Sequence, residues 1–187
     1  MKQRIGVVVC DTHQLSRNGL IRLLAEEEDI DLLAECDRGE DAIRLVREHR
    51  ADVLLIDMEI PDLGGLEVAR RLRRTDGSSQ VILVGIHAEG PIPARALESG
   101  ASGYLTRGCA PVEVVKAVRR AAEGRRYVDA EVAQSMVIDR LNPGQSPIAN
   151  LTARELTRIM RKLGTANDVE LTHLSYRHGL LELLERD

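Results

Sequence analysis

The sequence predicts an α/β fold: a five-stranded parallel sheet with helices on both faces, followed by a small all-α tail. Two observations carry this. Over the first 125 residues, aliphatic runs alternate five times with amphipathic helical stretches, the pattern of successive βα units. The runs are also nearly unbroken by polar residues, as in strands covered on both faces.

Taken in order, the strands are "IGVVVC" (5–10), "IDLLAEC" (30–36), "DVLLID" (52–57), "QVILVGI" (80–86) and "ASGYLT" (101–106). Their shortness and aliphatic content argue for strands over helices. The first helix spans 13–28 with Leu15, Leu20, Leu23 and Leu24 on one side, and the second 39–49 with Ala42, Ile43 and Val46. The third, 65–74, carries Leu66, Val68, Ala69 and Leu72; the fourth, 91–99, is opened by Pro91. The fifth, 110–123, places Val112, Val115, Val118 and Ala122 in line. A sixth, 129–141, has Val132, Met136, Val137 and Leu141. "NPGQSP" (142–147) then reads as a breaker-rich linker. Two helical stretches close the chain, the first opened by the capping box Thr152-x-x-Glu155.

Composition narrows the function classes. With 30% charged and 43% hydrophobic residues the chain has the balance of a soluble globular protein, and a net charge of −4 gives no global basic field for nucleic acid. There is no Trp or Phe, so no aromatic platform for stacking single strands. Cys10, Cys36 and Cys109 lack CxxC spacing and read as reduced thiols. The five histidines share no metal-ligand spacing. No signal-peptide pattern opens the chain and no apolar run nears membrane-spanning length; a cytoplasmic location with no membrane contact is expected. A glycine-rich phosphate loop and a nucleophile–base motif are both missing, which argues against an enzyme.

The stretch "ADVLLIDMEIPDLGG" (51–65) poses the functional question, because it sets the single acid Asp57 at the exit of a buried strand. Ligands of parallel α/β sheets bind at the carboxyl ends of the strands. That rule gathers Asp11 after the first strand, Asp57 at the end of the third, Gly85 near the end of the fourth and Arg107 near the end of the fifth. A carboxylate placed there can serve as nucleophile or metal ligand.

These residues lie in stretches that resemble bacterial response regulators, specifically the GacA/UvrY branch of the NarL/FixJ (LuxR-type) family. The matching stretches are "LLIDMEIPDLGGLE", "HAEGPIPARALESGASGYLTRG", "VVKAVRRAAEGRRYV" and "DVELTHLSYRHGL". The resemblance implies a flavodoxin-like (CheY-like) receiver over 1–125, a helical linker over 126–149 and a LuxR-type helix-turn-helix region over 150–187. In the family a sensor histidine kinase supplies a phosphoryl group to the aspartate at the position of Asp57. An acid pair after the first strand holds Mg²⁺, and a Thr or Ser and a Lys hold the phosphoryl oxygens.

Three positions depart from that pattern. Thr12 stands at the second acid, Gly85 at the hydroxyl and Arg107 at the Lys. Phosphoryl transfer needs charge neutralisation and in-line positioning, and a guanidinium fork is no substitute for a compact ammonium. Mg²⁺ binding through Asp11, Asp57 and the Glu59 backbone is therefore expected to be weakened, and Asp57 not to be labelled. Arg107 is expected to lie over Asp57 or to bridge it to Asp11. Tyr104 holds the family's aromatic switch position, and Gly85 leaves a gap that this ring could enter.

The tail resembles the LuxR-type domain in its first helix, "LTARELTRIM", and in the end of its third and its fourth, but the middle is missing and most of the recognition helix with it. Six basic residues of 150–187 balance six acidic ones, which is no footprint for phosphate, and no DNA-binding residue is assigned. A 38-residue remnant is too small to bury a core of its own. The expectation is a phosphorylation-independent signalling protein in transcription regulation that acts through protein contacts, as a homodimer or as a heterodimer with an intact relative. The alternative is a conventional DNA-binding response regulator phosphorylated on Asp57.

Overall fold

The computed structural model describes residues 4–75, 78–141 and 161. The linker residues 142–149 and, Arg161 aside, the expected LuxR-type remnant 150–187 lie outside the described residues. Strands β1 (Ile5–Cys10), β2 (Ile30–Cys36), β3 (Val53–Asp57), β4 (Gln80–Gly85), β5 (Gly103–Thr106) and β6 (Tyr127–Val128) alternate with helices α1 (Gln14–Ala25), α2 (Gly39–His49), α3 (Gly65–Thr75), α4 (Pro91–Glu98), α5 (Pro111–Ala122) and α6 (Ala130–Leu141). All strand pairs are parallel, in the order β2-β1-β3-β4-β5-β6. The sequence predicts five strands and the sheet has six. The extra strand is two residues long, too short to show a period, and it continues the sheet past β5.

Successive strand residues face opposite sides, and two cores follow. Val7, Val9, Val53, Leu55, Ile82, Val84 and Leu105 pack with α1 and α5 residues such as Leu24, Val114 and Val118. Val8, Cys10, Leu54, Ile56, Leu83 and Tyr104 pack with α2, α3, α4 and Val132 of α6. The segment expected as a helical linker thus begins against the sheet, with Val132 fully buried.

The helix stripes of α2 and α3 are buried as expected, but four expected core positions are not. Leu15 is 88% exposed and Val112 54% exposed; each sits in the opening turn of its helix. In the last turn of α5, Ala121 is buried and Ala122 exposed. Val137 of α6 is also exposed, at 59%.

The β1–β2 pairing contains a register shift. Val7 pairs with Leu32 but Val8 with Ala34, which carries Cys10 opposite Cys36. Such a bulge bends the strand locally.

Candidate functional site

The strand order reverses direction between β1 and β3, and the crevice at a switch point lies outside the carboxyl ends of those strands. Asp11 directly follows β1 and Asp57 ends β3; each is 1% exposed. Asp11 is held from its own side of the crevice. Its Oδ1 accepts the His13 N–H at 2.8 Å and its Oδ2 accepts the Ser16 hydroxyl at 2.6 Å. Asp57 Oδ1 accepts the Glu59 N–H at 3.1 Å.

Arg107, one residue past β5, reaches both acids. Its Nη2 lies in ion-pair contact with Asp57 Oδ2, and its Nη1 is 3.4 Å from Asp11 Oδ2 and 3.3 Å from Ser16 Oγ. The backbone sets this reach, since the Arg107 N–H donates to the Gly85 carbonyl at 2.7 Å. The Asp57 contact is ionic rather than an aligned hydrogen bond, because Oδ2 is buried with no hydrogen-bond donor. Burial accordingly raises the Asp57 carboxyl above the ordinary carboxylate range, and the Glu59 N–H and the Arg107 charge offset only part of it. Burial works against the Arg107 charge too, but Asp57 and Asp11 outweigh it and hold the guanidinium pKa up.

Gly85 is filled from outside its own chain segment. A Cβ built there would lie 2.2 Å from Tyr104 Oη, 2.9 Å from Cζ and 3.0 Å from Cε2. The Tyr104 ring is 0% exposed, its hydroxyl donates to the His87 carbonyl at 2.7 Å, and burial pushes its phenol pKa up. The ring occupies the space that a side chain at position 85 would claim.

His13 shares no ligand spacing with the other histidines, yet the fold brings it to the site. Its Nδ1 is 3.4 Å from Asp11 Oδ1, 3.8 Å from Asp57 Oδ2 and 3.4 Å from Arg107 Nη2, with Thr12 Oγ1 at 3.3 Å. The only available signal was its place two residues after Asp11. Asp129 is a second residue outside the expected set. It is 5% exposed, and its Oδ2 accepts both the N–H and the hydroxyl of Thr106, at 3.0 and 3.1 Å, while Oδ1 caps α6 through the Val132 N–H at 2.9 Å. It thereby fixes the strand end from which Arg107 departs.

One ligand atom from each of Asp11, His13 and Asp57 lies within 4.8 Å of the others, so a cation could be shared among them. The residues as placed do not fit Mg²⁺, however. A hard divalent ion wants a shell of oxygen ligands. Here Thr12 offers a hydroxyl and not a carboxylate, and a guanidinium already lies across both acids. The arrangement pairs two buried carboxylates with a tethered monovalent cation.

Residues 7–119 match the family model of the response regulator receiver domain. The chain is 36% identical to the response regulator UvrY of Escherichia coli K12 over 208 aligned residues, covering 94% of this chain and 95% of that one. It is 34% identical to the response regulator GacA of Pseudomonas aeruginosa over 210 residues, covering 95% and 98%. Among solved structures it is similar to the signal receiver domain of the response regulator NarL from Mycobacterium tuberculosis, with a TM-score of 0.64, 36% identity and coverage of 66% of this chain and 99% of that one.

Proposed function

The chain belongs to the response regulator family, in its NarL/LuxR-type branch, and from that premise we propose that it is a phosphorylation-independent member acting through protein contacts. Two-component signalling and transcription regulation are the setting that its UvrY and GacA relatives give it. The observation that carries the reading is Arg107 lying across Asp57 and Asp11. A phosphoryl group entering at Asp57 would meet neither a free metal position nor a hydroxyl at position 85, and it would have to break a buried ion pair first.

We take 1–125 as the receiver, 126–149 as a helical linker whose start docks on it, and 150–187 as a shortened LuxR-type remnant. An alignment of 208 residues against a chain of 187 needs gaps on this chain's side, which supports a chain shorter inside than its relatives. On this reading DNA recognition is lost and pairing survives, with a second copy or with an intact relative whose DNA-reading arm it would displace. The exposed Leu15 and Val112, in the opening turns of α1 and α5, support a contact face there. Between these helices lies a cleft of about 310 Å³ lined by Leu20, Leu23, Leu105 and Val114.

The conventional reading, phosphorylation of Asp57 by a sensor histidine kinase with Mg²⁺ bound at the site, draws on one fact: Asp11 and Asp57 remain within shared ligand distance. One experiment separates the two. The full chain is incubated with acetyl phosphate and Mg²⁺ and its intact mass measured. No phosphoryl adduct is expected. A stoichiometric adduct that disappears in Asp57→Asn overturns the proposal in favour of the conventional reading.

A further inference from the structure

The register shift in β1–β2 has brought two thiols together behind the acid pocket. Cys10 and Cys36 are in-register partners on adjacent parallel strands. Both pack on the α2 side of the sheet. Without the shift between Val7 and Val8, Cys10 would stand opposite Glu35. Adjacent strands run about 4.8 Å apart, inside the Cα separation of about 4.4–6.8 Å that a disulfide spans. The two thiols differ in access: Cys10 is 1% exposed, while Cys36 is only half-buried. Cys109, the third cysteine, is on the opposite core.

We propose that Cys10 and Cys36 form a reversible dithiol–disulfide pair, a redox modification site that takes small-molecule disulfides as oxidant. The accessible Cys36 sulfur attacks one sulfur of the reagent as thiolate, the reagent's S–S bond breaks, and one thiol leaves with a proton. The buried Cys10 sulfur then gives up its proton and attacks Cys36 within the mixed disulfide, and the second thiol leaves with that proton. Two protein thiols are oxidised to one disulfide, and one reagent disulfide is reduced to two thiols.

The bond would close directly against the pocket. Cys10 precedes Asp11, and the Asp11 N–H donates to the Cys36 carbonyl at 3.1 Å. The disulfide therefore staples the peptide that aims Asp11 to the end of β2. Buried Cys10 also donates to the Arg38 carbonyl at 3.5 Å, at the start of α2, and oxidation removes that donor. Oxidation state thus reaches the α2 entry and the Asp11 peptide together, by a route independent of phosphorylation.

The test uses the full chain, folded and reduced, incubated with oxidised glutathione, acid-quenched and mapped with trypsin. The expected product has lost two hydrogens, joins peptide 5–17 to peptide 23–38, and reverts with dithiothreitol. In that product the Asp11 amide exchanges hydrogen more slowly than in the reduced chain. Cys10→Ser should stop at a stable glutathione adduct on Cys36, Cys36→Ser should give no cross-link, and Cys109→Ser should cross-link as the natural chain does. The half-buried Cys36 variant keeps the test decisive should Cys10→Ser not fold. A cross-link that forms only in urea, an adduct confined to Cys109, or an Asp11 amide whose exchange does not change would overturn the proposal.

Discussion

Arg107 is where the charge balance of the pocket is decided. Removing one member of a buried pair typically costs about 3–5 kcal/mol, because the other charge is left behind; here two carboxylates would be left. Arg107→Ala is expected to lose stability of that order at neutral pH. The sign with pH follows from Asp57, whose folded pKa is raised. Such a group holds its proton more tightly folded than unfolded, so it costs nothing in acid and takes stability away as pH rises through the folded value. The Arg107→Ala deficit should therefore be small near pH 4, close to the ordinary aspartate value of about 3.9, and should grow toward neutrality in urea titrations. The vacated pocket should also gain affinity for divalent cations, so millimolar Mg²⁺ should raise the melting temperature of Arg107→Ala and leave the natural chain unmoved. At Gly85 the expectation is steric. A methyl group 2.2 Å from the Tyr104 hydroxyl forces the ring to move, and overpacking of this kind costs about 1–3 kcal/mol. The cost of Gly85→Ala should fall when Tyr104→Leu is already present. Equal costs in the two backgrounds, measured as a double-mutant cycle, would show that the ring and the glycine do not interlock.

Elements depend on residues borrowed from elsewhere. Helix α2 has no cap from its own N-cap residue, Arg38, and takes one from Asp62 in the β3–α3 loop, whose carboxylate accepts the Gly39 and Glu40 N–H groups at 2.8 and 3.1 Å. Asp129 caps α6 from its own N-cap position and reaches across to the end of β5, where the Thr106 N–H is its distant partner. Asp129→Ala should cost about 2–4 kcal/mol, as a lost cap plus buried donors left without an acceptor. Hydrogen exchange should show Thr106 and the first turn of α6 losing protection together; loss in α6 alone would mean that the strand end is held by other means. The borrowed cap and the distant hold on Thr106 mark the limit of reading the sequence. Strands β1 to β5 and the α2 and α3 stripes were legible because periodicity and aliphatic runs are local signals. Asp57, Asp11 and Arg107 were legible as a group because the strand-end rule converts topology into proximity. His13, Asp62, the hold of Asp129 on Thr106 and the register shift that pairs Cys10 with Cys36 were not, since each is defined by a partner that no local pattern names. Leu15 and Val112 misled for the converse reason: helical phase alone does not say how far along a helix its burial runs.

At the level of the whole molecule, the fold holds its site on four strand ends, and its continuation past β5 is built into the core through Val132. Among the described residues no helix is long and apolar enough to cross a membrane. If the remnant over 150–187 has lost its DNA-reading helix, gel shifts with promoter DNA should show only weak complexes that dissolve as salt rises, in the range of about 10⁻⁴–10⁻⁶ M typical of non-specific contact. Sedimentation should meanwhile report self-association that weakens in Leu15→Asp. A sequence-specific complex stable near physiological salt would count against the loss, and a monomer at all concentrations against the contact face.

The Gly85–Tyr104 fit also constrains the history open to this chain. A hydroxyl cannot return to position 85 until the ring has moved, and moving the ring alone empties a space in the core. Exchanging Arg107 for Lys first trades a fork that reaches both acids for a single ammonium; an acid at Thr12 first adds a third negative charge beside two that share one guanidinium. No single exchange among these positions rebuilds the site, and the one at Gly85 meets the buried ring first. Positions 85 and 104 are therefore free to change only as a pair, which makes the route back to a hydroxyl longer than the route to further change around the pocket.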